Sequence, residues 1–326
     1  MKAPFLLAAF LLLVSASVHA TTMDVELEGV SGELRDNVLA FLGEEPQTVE
    51  ERSNYSISAR RQVERALEAL GHYRPAIDLT IEREQEPWRM LIQVDPGEPV
   101  RFRSVSVKLA GEAANDPAFL ALLEDNPMVP DAVLHHGKYE NFRRQLLALG
   151  QRRGYFDATL ERSAIRVQAG AGAADVDVLY NSGRRFTFGE LESDEEQLSS
   201  ALLNPLLPFE RGDPFELGSL QRFQGALQRT GYFSSVVVRP DTSERGQGEV
   251  PIVLELSPAR RHTVNLGVGY SDDTEERVSV TWRTPKINRW GHFQETRLQW
   301  SRINPSGRFT YNIPLSHPLN DVLQLR

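Results

Sequence analysis

Three stretches of the chain place apolar residues on one helical stripe and then stop at a glycine. Residues 61–73 carry Val63, Ala66, Leu67 and Leu70 before Gly71. Residues 142–156 carry Leu146, Leu147 and Leu149 before Gly154, and residues 220–233 carry Phe223, Ala226 and Leu227 before Gly231. A 3.6-residue apolar period predicts an amphipathic helix, and glycine ends one in a left-handed turn at little steric cost. Aromatics follow each glycine: His72-Tyr73, Tyr155-Phe156 and Tyr232-Phe233. The period then switches to two. Ile77, Leu79 and Ile81 line one face of a predicted strand, as do Val236 and Val238 in the third copy, and residues 90–94, 176–180 and 252–256 supply a second strand ending in turn residues.

The front of each copy agrees. A short strand (24–27, 102–109, 186–191) leads into a first helix near 33–42, 117–124 or 194–203. The predicted unit is β-α-α-β-β, α+β in class, with helices on one face of a three-stranded sheet. The terminal glycines are 83 and then 77 residues apart, which is the signature of tandem modules. A three-stranded sheet has two edges whose unpaired N–H and C=O groups can accept another extended chain. Ile77, Leu79 and Ile81, with Val236 and Val238, mark the candidate edge strands. Alternatively, the modules act only as spacers.

Beyond residue 259 the helical stripes stop. Val264, Leu266, Val268 and Tyr270 alternate with Thr263, Asn265, Gly267 and Gly269. Val278, Val280 and Trp282, then Thr296, Leu298 and Trp300, then Phe309, Tyr311, Ile313 and Leu315 continue the pattern over about four strands. Strands with one apolar and one polar face suit a transmembrane barrel, or a soluble antiparallel sheet with one wet face. The N-terminus favours the membrane. Lys2, an apolar run over 5–14 and small residues up to Ala20 form the layout of a cleaved secretory signal at 1–20, and its core is short for a spanning anchor.

Composition narrows the chemistry. Hydrophobic residues make up 40% and charged residues 25% of 326 positions, which suits folded protein. With 36 Lys plus Arg against 45 Asp plus Glu, net charge is −9, which argues against a broad nucleic-acid surface. There is no cysteine, which removes disulfide scaffolds, thiol catalysis and Cys-based zinc sites. His135-His136 is the only histidine cluster, and adjacent helical positions diverge too far to share a metal. No Gly-x-Ser-x-Gly or phosphate-loop motif occurs. The acidic run at 192–196 suits a helix start, and the Gly-Ala run at 170–174 a flexible hairpin loop. The reading is of a protein that is not an enzyme, with no cofactor and no metal.

These residues carry a resemblance. The repeat ending in Gly-aromatic resembles the POTRA (polypeptide-transport-associated) module, and residues 266–291, LGVGYSDDTEERVSVTWRTPKINRWG, resemble the first barrel hairpin of the TamA family of translocation and assembly subunits. BamA, a relative, carries five such modules and two-partner secretion transporters carry two, so three copies favour TamA. The implied organisation is a signal at 1–20, POTRA modules at 21–99, 100–185 and 186–260, and the N-terminal part of an outer-membrane β-barrel at 261–326. In this reading the barrel is truncated and the chain is part of a longer protein. The implied function is assembly of autotransporters and other β-barrel clients in the outer membrane. The modules would lie in the periplasm, the barrel in outer-membrane lipid, and the partner would be a TamB-like inner-membrane-anchored protein. A two-partner-type secretion pore and a soluble periplasmic scaffold are the alternatives. The family's barrel seam would map to Val264, Leu266, Gly267, Val268, Gly269 and Tyr270, where glycines either weaken the strand or relieve crowding. The family's late-loop Arg-Gly-aromatic motif has no counterpart, since Arg153-Gly154-Tyr155 ends a helix inside the second module.

Overall fold

The structure, a computed structural model, describes residues 23–193, 199–243, 248–271 and 275–326. The expected signal at 1–20 and its Ala20 site lie outside these residues, as do residues 194–196 of the acidic run. The described residues form two compact units: those up to 106, with 127–142 and 164–177, make the first, and the other described residues the second.

The first block runs β1 (Met23–Glu28), α1 (Gly32–Leu42), α2 (Val49–Ala69), β2 (Ala76–Glu82) and β3 (Trp88–Asp95). Its sheet order is β1-β3-β2. The first and last strands pair in parallel, Met23 against Trp88 and Leu27 against Ile92, and the β2–β3 hairpin is antiparallel. Met23 and Leu27 from β1, Val38 and Leu42 from α1, Val63 and Leu67 from α2, and Met90 and Ile92 from β3 form the core between sheet and helices. The second helix is longer than the apolar stripe predicts. It begins at Val49, about three turns before the stretch at 61–73, in a polar segment, because Thr48 and Glu51 form a reciprocal capping box that satisfies the free N–H groups of its first turn.

The second block repeats the order with β4 (Arg101–Ala110), α3 (Pro117–Glu124), α4 (His136–Arg152), β5 (Thr159–Gln168) and β6 (Ala173–Asn181), in sheet order β4-β6-β5. Residues 169–171 of its hairpin form one tight 3-10 turn closed by left-handed Gly172.

The third block comprises β7 (Thr187–Ser193), α5 (Ser200–Leu203), α6 (Leu217–Thr230), β8 (Phe233–Pro240) and β9 (Glu249–Pro258), in order β7-β9-β8. Its first helix covers Ser200–Leu203 of the expected 194–203, and residues 194–198 of that expectation lie outside the described residues. Phe188 stacks on Phe209 at 3.9 Å, and Phe215 and Phe223 complete an aromatic core.

A five-stranded antiparallel sheet follows: β10 (Thr263–Ser271), β11 (Glu275–Thr284), β12 (Phe293–Ser301), β13 (Ser306–His317) and β14 (Asp321–Leu325), paired in chain order. The sequence predicts four strands here. The fifth is short, and the register shifts between Pro314 and His317, which breaks the two-residue period. Leu315 lies at that shift and is exposed as Phe309 is, with Asn312 and Pro314 buried between them. The sheet is open among the described residues, with β10 and β14 at its edges.

Candidate functional site

The repeated glycines all adopt left-handed backbone: φ is 91° at Gly71, 83° at Gly154 and 72° at Gly231. Gly154 is also crowded. A Cβ there would lie 2.7 Å from that of Phe215. The aromatics after each glycine anchor local contacts. Tyr73 Oη lies 2.5 Å from His136 Nε2, while His135 Nε2 meets Glu33 at 3.0 Å, so the two histidines face different partners. Burial lowers the His136 pKa against the opposing pull of Glu140 and Glu68, and the neighbouring charge of His135 lowers it further. Tyr155 donates to Asp116 Oδ2 at 3.0 Å, Phe156 packs at 5.0 Å on Phe215, and Phe233 turns into the third core. Tyr232 donates to the carbonyl of Gly291, at 2.9 Å, and burial pushes its phenol up to about 12.

Arg153 is the centre of a clamp that sequence reasoning missed. Its Nε donates to Asp116 at 2.7 Å and its Nη1 to Glu216 at 2.8 Å, while Arg185 donates to the Arg153 and Phe215 carbonyls. Asp116 also caps α3 by accepting from the Ala118 N–H. Burial raises its pKa, but Arg153, that N–H and the Tyr155 hydroxyl outweigh burial and hold the carboxyl below its usual range. No spacing in the sequence signals this clamp, because Arg153 reaches Asp116 and Glu216 across 37 and 63 residues of chain.

Both candidate edge strands lie at sheet edges: β2 pairs only with β3, and β8 only with β9, among the described residues. Each is partly guarded by the helix beneath it. Arg60 of α2 donates to the Ile77 carbonyl at 2.8 Å, and Gln224 of α6 accepts from the Val238 N–H at 3.3 Å. Ile77 and Val238 therefore turn a backbone polar group away from the sheet, and a helix side chain occupies it. The side chains of Ile77, Leu79 and Ile81 face the first core and Val236 and Val238 the third, so what each edge offers a partner is its backbone.

The five-stranded sheet has two unlike faces. Val264, Leu266, Val268 and Tyr270 lie opposite Trp282, Val280, Val278 and Glu276, and Thr296, Leu298 and Trp300 continue the same face. Leu266 is 77% and Val268 86% exposed, so none of the described residues covers this surface. A contiguous exposed apolar sheet face needs a non-aqueous neighbour. On the other face Gly267 meets Ser279, whose Oγ would lie 2.7 Å from an added Cβ, and this close neighbour gives the crowding role of that glycine a physical basis. Opposite the apolar surface lie Arg277, Arg283, Glu295, Arg297 and Arg308. None of these groups forms a nucleophile–base pair, and no cluster of His, Cys, Asp or Glu fit for a metal occurs among the described residues.

Residues 24–96 match the family model described as POTRA domain TamA domain 1. Among solved structures, BamA from Haemophilus ducreyi lacking POTRA domains 1-3 is similar with a TM-score of 0.54 at 12% identity, over 66% of this chain and 40% of that one. POTRA3-5 of Haemophilus influenzae BamA gives a TM-score of 0.40 at 18% identity, over 73% of this chain and 95% of that one. CdiB from Acinetobacter baumannii gives 0.39 at 14% identity, over 65% and 41%. The chain thus spans 40% of the length of the BamA chain it matches.

Proposed function

We propose that this TamA- and BamA-like chain is the outer-membrane component of a translocation and assembly module, a non-enzymatic factor that helps β-barrel proteins, autotransporters among them, reach and enter the outer membrane. In this reading residues 1–20 are a signal cleaved after Ala20. Three POTRA modules at 21–99, 100–185 and 186–260 lie in the periplasm, and residues 261–326 begin a lipid-embedded barrel. One observation carries it: repeated α+β blocks with edge strands lead directly into an antiparallel sheet whose apolar face is uncovered and whose opposite face is polar.

The modules act through their edges. A client strand or an inner-membrane-anchored TamB-like partner adds to β2 along Ile77, Leu79 and Ile81, or to β8 along Val236 and Val238. Main-chain hydrogen bonds supply affinity without demanding one client sequence. At the barrel, β10 with Val264, Leu266, Gly267, Val268, Gly269 and Tyr270 is the seam strand, where two glycines remove side-chain packing. Depleting the protein should lower surface display of an autotransporter. Unchanged display in cells that still hold the TamB-like partner would overturn the reading.

A further inference from the structure

The polar face of the five-stranded sheet contains a cavity of about 330 Å³ whose lining is lopsided in charge: Arg283, Arg297, Arg308 and Arg326 against one carboxylate, Glu295. The chain as a whole is acidic, with a net charge of −9. The lining of this cavity runs against that balance. Glu295 is already committed. Arg283 approaches its Oε2 through Nη2 at 2.8 Å and Nε at 3.2 Å, whereas Arg297 reaches Oε1 only at 3.4 Å. The register then sets Arg297 directly opposite Arg308 on β13. Two like charges at opposed positions on one sheet face destabilise the pairing, and no carboxylate pairs with Arg308 among the described residues. Beside them Arg326 is steadied by Gln324, which in turn donates to buried Asn312.

The geometry points to an anion site between Arg297 and Arg308 that takes the carboxylates of an acidic peptide segment. Guanidinium groups are planar forks matched to carboxylate oxygens, and Glu295 shows how one sits in this lining. An occupant whose carboxylate bridges Arg297 and Arg308 relieves the opposed cations and makes charge-assisted hydrogen bonds to both. The cavity lies at the small end of ligand-pocket sizes, which suits a short stretch of extended peptide. This assignment concerns the polar face alone and does not depend on how the module edges work.

The test is binding of fluorescein-labelled hexaglutamate to the full chain in zwitterionic detergent, read by anisotropy at fixed low salt. The Arg297→Gln, Arg308→Gln double variant should bind at least about tenfold more weakly, with the sheet checked by circular dichroism. Glu295→Gln should bind severalfold more tightly, because it frees Arg283 and Arg297 while leaving every arginine in place. Equal affinity in all three proteins overturns the site. Tighter binding of inorganic phosphate, with the same dependence on Arg297 and Arg308, overturns the carboxylate assignment in favour of a phosphate group.

Discussion

Asp116 is a carboxylate that burial alone would push towards its neutral form, and Arg153 reverses that balance. Its pKa is lower in the folded chain than the ordinary value of about 3.9, so its contribution is complete above that value and lost as pH falls through it. The Asp116 contribution to the melting temperature, read as the difference from Asp116→Asn, should therefore hold between pH 7 and 5 and fall away below about pH 4. Asp116→Asn should blunt that acid step and cost about 1–3 kcal/mol at pH 7, since the buried Arg153 and Tyr155 contacts are left half-satisfied. His136 works in the neighbouring range. Its pKa too is lowered in the fold, so the unfolded chain takes up the proton first, near pH 6.5, and stability is lost as pH falls below that. Amide exchange around 133–140, corrected for its intrinsic pH dependence, should accelerate from pH 7 to 5.5 and respond less in His136→Gln. The repeated glycines are unequal at this scale. Gly231→Ala meets open space and should cost about 1–2 kcal/mol for its left-handed backbone, whereas Gly154→Ala also drives a methyl onto Phe215 and should cost measurably more in urea unfolding.

Helices with an apolar stripe and a glycine stop were legible in the sequence because one face had to be buried and one residue had to turn left-handed. The first half of α2 was not, since Ser53, Ser56 and Ser58 interrupt any stripe and the helix there is started by the Thr48 cap. Strand β14 escaped because a register shift hides its period. The edge strands were legible, but their guards were not. Arg60 and Gln224 reach backbone groups 17 and 14 residues away, and no pattern records such a reach. Removing the guards should therefore open the edges. In Arg60→Ala, crosslinking of a photoreactive client strand to β2 should rise severalfold, while Leu79→Pro, in a chain shown to be folded, should abolish it. Unchanged yields in both variants would remove β2 from consideration as a docking edge.

The near-regular spacing of 83 and 77 residues carried the block organisation, because tandem blocks repeat their turn chemistry. The Arg153 clamp and the Tyr232–Gly291 bond left no such trace, being single contacts between residues far apart in the chain. The two-faced sheet makes a prediction about the molecule as a whole. Val268→Arg on the apolar face should cost about 2–4 kcal/mol of stability in lipid if that position lies near the bilayer midplane. Asn265→Arg, on the opposite face and across from uncharged Thr281, should be tolerated, and urea titration in phospholipid vesicles compares the two.

The parallel pairing of first and last strands also sets the order in which the chain can become structured. Met23 finds its partner only at Trp88, 65 positions later, and Thr187 only at Glu249, 62 positions later. A chain delivered from its N-terminus would hold β1 unpaired until β3 emerged, with its apolar residues uncovered meanwhile. Contacts of such separation slow folding. Each block would therefore spend its early life exposing an unpaired strand, the same feature its finished edges later offer to others, and in that interval it is itself vulnerable to capture.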